Sequence, residues 1–78
     1  MARLIFLGRL EDMAGTAGRE VPAGTLADIL AALDGDLAAA LTADRIRLAV
    51  NGILVADRAA VVLGEDDELA FLPPVSGG

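Results

Sequence analysis

The chain has 78 residues, 55% hydrophobic but only 3% aromatic, and 12 acidic residues against six basic ones give a formal net charge of -6. That length fits one domain with one small core, since a chain near this size buries only about 60% of the surface its unfolded form exposes. The charge argues against nucleic acid, whose recognition leans on a basic surface, and favours a protein partner with a basic groove; the lack of cysteine excludes a disulfide, a thiol nucleophile and a thiolate metal site.

Arg3 to Leu7 reads as a first strand, with Leu4 and Phe6 on one face and Arg3, Ile5 and Leu7 on the other. Leu10 to Gly15 fits one short helical turn with acids near its start and glycine at its end. Gly18 to Ala23 predicts a returning strand that Pro22 confines to an edge or ends, because proline cannot donate to a ladder. The clearest helix follows: Thr25 is a good N-cap, Asp28 lies three residues on, Leu26, Ile29, Leu30 and Leu33 form a stripe, and Gly35 is placed to end it. Asp36 is then expected to cap a short alanine-rich turn.

Arg45 to Val50 alternates as a third strand, and Asn51-Gly52 is a strong hairpin signal because both residues tolerate the positive φ of a type I′ turn. Such a turn pairs Val50 with Ile53 and Ala49 with Leu54. Parity then directs Ile46, Leu48, Val50, Ile53 and Val55 to the core and Arg47, Ala49, Leu54 and Ala56 outward. The acidic turn Gly64 to Asp67 leads into a last strand, Glu68 to Leu72, with Leu69 and Phe71 inward. The acidic run lacks the spaced ligands and central glycine of an EF-hand and reads as a solvated turn, so no metal site is expected. This order predicts an α+β, β-grasp (ubiquitin-like) roll: a mixed sheet of about five strands packed on one main helix, with first and last strands adjacent.

Beyond Leu72 the chain continues Pro73-Pro74-Val75-Ser76-Gly77-Gly78. The diproline favours an extended conformation that aims the chain away from the sheet, and the glycines present a slender, flexible tail with a carboxylate able to enter a narrow site. Ile5, Leu7, Leu54 and Leu72 fall on the uncovered face. A contiguous apolar patch there is a docking surface, whereas single exposed leucines are ordinary, and parity alone leaves both readings open. Histidine and lysine are absent, which removes the commonest general base and any side-chain amine through which copies join into chains. No leader-like segment and no apolar run of about 20 residues is present, so a cytoplasmic chain without a membrane anchor is expected.

Ala49-Val50-Asn51-Gly52 leading a hairpin, the Gly-Glu-Asp-Asp-Glu turn and the closing Phe-Leu-Pro-Pro-Val-Ser-Gly-Gly together resemble the small subunit of molybdopterin synthase, the sulfur-carrier MoaD family, over essentially the whole chain. The resemblance implies a non-catalytic subunit that binds no cofactor. An E1-like adenylyltransferase consumes ATP to adenylate the Gly78 carboxylate, a sulfur donor protein displaces AMP to leave a thiocarboxylate, and the tail enters the synthase large subunit to form the molybdopterin dithiolene. It also implies that Leu7, Leu54 and Leu72 stand at family positions that carry large apolar groups at that interface, and that Ser76 is a small polar tail residue. The competing readings are a sulfur carrier for thiamine synthesis or tRNA thiolation, a ubiquitin-like modifier joined to lysines of other proteins, and an interaction module without covalent chemistry.

Overall fold

β1 (Ala2–Phe6) buries Ala2, Leu4 and Phe6 and turns Arg3 and Ile5 the other way, the alternation of a strand with one covered face. In the computed structural model, which describes residues 1–74, β1 leads into α1 (Arg9–Ala14). Gly15 stops that helix in the left-handed conformation, its N–H donating to Glu11 O, as the sequence predicts. β2 (Gly18–Val21) returns antiparallel to β1 at the sheet edge, and Pro22 follows it.

β3 (Gly24–Thr25) precedes α2 (Leu26–Ala31), whose N-cap Thr25 accepts from the Asp28 N–H at 3.2 Å. The next boundary departs from expectation. α2 closes through Ala32 in the right-handed conformation, and Gly35 opens α3 (Gly35–Leu41) instead of ending α2. The cap is Asp34 and not Asp36: the Asp34 carboxylate accepts from the Asp36 N–H at 3.2 Å, satisfying one of the free amides of the new helix.

β4 (Arg47–Val50) and β5 (Ile53–Leu54) form the expected hairpin, with Asn51 at φ 50° and Gly52 at φ 86°, Val50 opposite Ile53 and Ala49 opposite Leu54. A 3₁₀ turn over Arg58–Ala60 leads to β6 (Val62–Leu63), which pairs with β3 in a two-stranded ribbon that the sequence reading did not anticipate. β7 (Glu68–Leu72) completes a five-stranded sheet of order β2-β1-β7-β4-β5, mixed because β1 and β7 run parallel. This is the β-grasp roll.

Between sheet and helices, Leu4, Phe6, Leu48, Leu69 and Phe71 pack with Ile29, Leu33, Leu37, Leu41 and Leu10, so α1, α2 and α3 share the cover expected of one main helix. The Phe6 and Phe71 rings stack 5.9 Å apart at the centre. Ile53, expected inside, is 73% exposed. β5 is only two residues long at the sheet edge, and Val55, the next residue of that parity, packs on the core margin instead. No helix among the described residues is long and apolar enough to cross a membrane.

Candidate functional site

The tail leaves from the middle of the sheet. β7 lies between β1 and β4, with Phe6 and Leu48 both in register with Phe71, so its C-terminal end is held on two sides. The Leu7 N–H donates to Phe71 O at 3.3 Å and extends the parallel ladder one residue beyond β1. That places Leu7 beside Leu72, while Arg47 faces Leu72 from β4. Immediately beyond, Pro73 packs over Gly8 and Pro74 is half-buried. The arm residues Val75, Ser76, Gly77 and Gly78 lie outside the described residues.

The face of the sheet away from the helices carries one row across all five strands: Gly18, Ile5, Ala70, Ala49 and Leu54, each opposite the next. Small residues at its centre make this row low, with Leu54 61% exposed at one edge. Leu7, 41% exposed, and half-buried Leu72 stand beside the row at the tail end. The geometry therefore brings Leu7 and Leu72 together and sets Leu54 apart, two strands from Leu72.

Pro74 also lines two depressions. One, of about 680 Å³, is bounded by the segment from Asp44 to Leu48 and by Leu54 to Arg58; the other, of about 480 Å³, by Arg9, Leu10 and Met13 of α1, by Ala40 and by Ala43 to Ile46. Arg58 shapes the first by donating to Ile46 O at 2.6 Å and Thr42 O at 3.3 Å, which ties the 3₁₀ turn to the chain entering β4. Sequence reasoning did not single out Gly8 or the arginines of these walls. They are scattered along the chain, and only the sheet order gathers them.

At the opposite end of the sheet the acidic turn is tied into the fold. The Asp67 carboxylate accepts from Asn51 Nδ2 at 3.0 Å and from the Gly64 N–H at 2.8 Å; the Asn51 bond foremost, then the Gly64 bond, holds its pKa below the usual carboxylate value. Asn51 Oδ1 accepts from the Glu68 N–H at 3.0 Å, so the hairpin turn also fixes the start of β7.

Among solved structures, the chain is similar to SAMP1 from Haloferax volcanii, at 29% identity with 99% of this chain and 98% of that one covered and a TM-score of 0.76. It is similar also to the small archaeal modifier protein 1 from Methanosarcina acetivorans, at 24% identity, with 99% and 95% covered and a TM-score of 0.78. Urm1 from Sulfolobus solfataricus shares the fold at 16% identity, with 91% and 97% covered and a TM-score of 0.64. The family model described as the ThiS family matches residues 4–78, nearly the whole chain and the entire arm beyond Leu72. With a β-grasp sheet whose central strand runs out into Pro-Pro-Val-Ser-Gly-Gly, the chain belongs to the ThiS family of small ubiquitin-like proteins.

Proposed function

We propose that this protein is a ubiquitin-like sulfur carrier and protein modifier that works through the carboxylate of Gly78. The observation that carries the reading is the match of the ThiS family through Gly78 on a strand that ends, at Leu72 and Pro73, beside an apolar face. The similarity at 29% identity to SAMP1, by name a small archaeal modifier protein, supports a modifier or a carrier of broader use over a dedicated subunit of molybdopterin synthase. The chemistry is common to all these uses. A carboxylate oxygen of Gly78 attacks the α-phosphorus of ATP on an E1-like adenylyltransferase and releases pyrophosphate. A persulfide sulfur of a donor protein then displaces AMP to give an acyl disulfide, whose S–S bond a second thiol cleaves to leave the thiocarboxylate and a disulfide on the donor, or a lysine amine of a target displaces AMP and loses its proton to give an isopeptide. Glycine leaves the acyl carbon open to either attack, and the carrier contributes the acyl group and a docking surface while its partners contribute the catalytic groups.

Molybdopterin synthesis is the second reading, favoured by the Pro73-Pro74 exit and by Leu7 and Leu72 standing together where the synthase large subunit would dock. Intact-mass analysis of the protein from its own cells tests the proposal. Oxygen replaced by sulfur at the terminus identifies a carrier, and isopeptide remnants ending in Gly78 on lysines of other proteins identify a modifier. Neither species in active cells, with full function after removal of Gly78, overturns both uses. Dithiolene formation by the thiocarboxylated chain with a large subunit, without any conjugates, moves the assignment to the second reading.

A further inference from the structure

The six arginines and 12 acids of the chain are not evenly spread. Arg9, Arg45, Arg47 and Arg58 line the two depressions that Pro74 divides, with Arg9 and Arg45 in one and Arg45, Arg47 and Arg58 in the other. The acids of those walls are Asp44 and Asp57, and the Asp57 side chain is engaged in accepting the Ala59 N–H at 3.0 Å. Glu11 and Asp12 of α1 lie outside both depressions. Four consecutive acids, Glu65 to Glu68, gather at the far end of the sheet, where Glu68 and Glu20 face Arg3 from either side.

Arg58 is committed to the Thr42 and Ile46 carbonyls. Arg9, Arg45 and Arg47 are exposed, and among the described residues none makes an ion pair with a carboxylate, the one such pair being the Met1 amino group with Glu65. Among the described residues Arg3 and Arg19 make no such pair either, but they lie on β1 and β2, whereas Arg9, Arg45 and Arg47 stand with Pro74 in the walls of the two depressions. They come from α1, from the segment before β4 and from β4 itself, and the two depressions they line share Arg45 and Pro74. A net charge of -6 repels a polyanion at long range. A ring of separate carboxylates on a protein surface suits this arrangement, because each guanidinium can take one in a two-pronged bond.

We propose that the arginines around Pro74 form a docking collar for a protein partner whose tail-accepting slot is rimmed by Asp and Glu side chains, the partner being the enzyme that activates Gly78. The rim is opposite in sign to the basic groove expected from the net charge. The collar is continuous with the apolar outer face through Arg47, which faces Leu72, so the contact has an apolar centre and a charged edge. The same acidic rim repels the Glu65 to Glu68 end, and the field between the two ends turns the carrier tail-first before contact. The inference rests on activation of the tail as proposed above, and adds which surface of the chain selects the enzyme.

The test is adenylation of the full chain, followed as ATP–pyrophosphate exchange by the E1-like adenylyltransferase from the same cells, across a range of sodium chloride. Arg45→Glu/Arg47→Glu, with Arg9→Glu added in a second variant, is expected to lower kcat/KM by about tenfold or more, through KM with kcat retained, and to flatten its fall with salt. Arg45→Lys/Arg47→Lys should keep most of the activity, and Arg19→Glu on the edge strand β2 should change neither KM nor the salt slope. Circular dichroism verifies folding, and Arg45→Gln/Arg47→Gln serves if the charge reversals do not fold. Reversal variants with the parent KM and salt slope overturn the collar while leaving tail activation standing; a parent chain that is not adenylated overturns both. Binding of a short single-stranded RNA that the reversals abolish, with adenylation unchanged, overturns the proposal in favour of a nucleic-acid site.

Discussion

Gly8 and Pro73 are in such close approach that a Cβ on Gly8 would lie 2.9 Å from Pro73 Cγ. Gly8 also holds φ 55° and ψ -135°, a conformation that costs a side-chain-bearing residue strain. The seat of the first proline after β7 therefore depends on a glycine 65 positions earlier in the chain.

Gly8→Ala meets both penalties, whereas Gly15→Ala, at φ 77° with nothing within 4 Å, meets only the backbone one. Urea denaturation should show a loss of about 1 kcal/mol for Gly15→Ala and about 2–3 kcal/mol for Gly8→Ala. Adenylation of Gly78 should slow in the second alone. Equal losses and equal rates would show that Pro73 yields freely and that Gly8 does not aim the arm.

Phe6 and Phe71, both fully buried and stacked, are the chain's whole aromatic content, and each lies on one of the two parallel central strands. Phe71→Ala should cost about 3–5 kcal/mol. That is a large share of the roughly 5–15 kcal/mol that holds a domain together. The expected outcome is a chain unfolded or molten near room temperature, seen as lost thermal cooperativity, while Phe71→Leu should remain folded with a lowered midpoint.

The strands were legible because alternation needs only local spacing: Leu4 with Phe6 and Leu69 with Phe71 gave the covered face, and Asn51-Gly52 gave the hairpin register. The boundary between α2 and α3 was not, because Asp34 and Asp36 are both good caps and Gly35 suits either end of a helix; the choice is made by how Leu33 and Leu37 reach the core. The β3–β6 pairing joins residues nearly 40 positions apart and leaves no periodic trace in two-residue strands. The leucines of the outer face could be named from parity, but the arginines around Pro74 could not, since their grouping is a product of the strand order.

Asp67 links stability to pH. Its pKa is lowered from the ordinary 3.8, first by the Asn51 side chain and then by the Gly64 N–H. The folded chain therefore releases this proton more readily than the unfolded one, so the stabilisation is complete above the ordinary value and is lost as pH falls through the lower, folded one. Asn51→Ala and Asp67→Asn should each lower the urea midpoint at neutral pH. The gap between Asp67→Asn and the parent should close on acidification below the ordinary carboxylate range; a gap constant with pH would show that the ionised form of Asp67 adds nothing.

Leu7 and Leu72 adjoin at the tail end of the outer face, while Leu54 lies two strands from Leu72 across Ala49. If the face docks an activating enzyme or a synthase subunit, the leucines nearest the departing tail lie nearest the partner's slot, where water is most fully excluded and one anchor carries most energy. Leu7→Glu should weaken binding by about 2 kcal/mol or more, roughly thirtyfold, with the fold retained because its side chain lies outside the core. Leu54→Glu, at the rim, should cost under about 1 kcal/mol. Calorimetric titration of each variant with the same partner gives the comparison. Equal losses would spread the contact over the whole sheet, and no loss in either would confine recognition to the arm and its arginines.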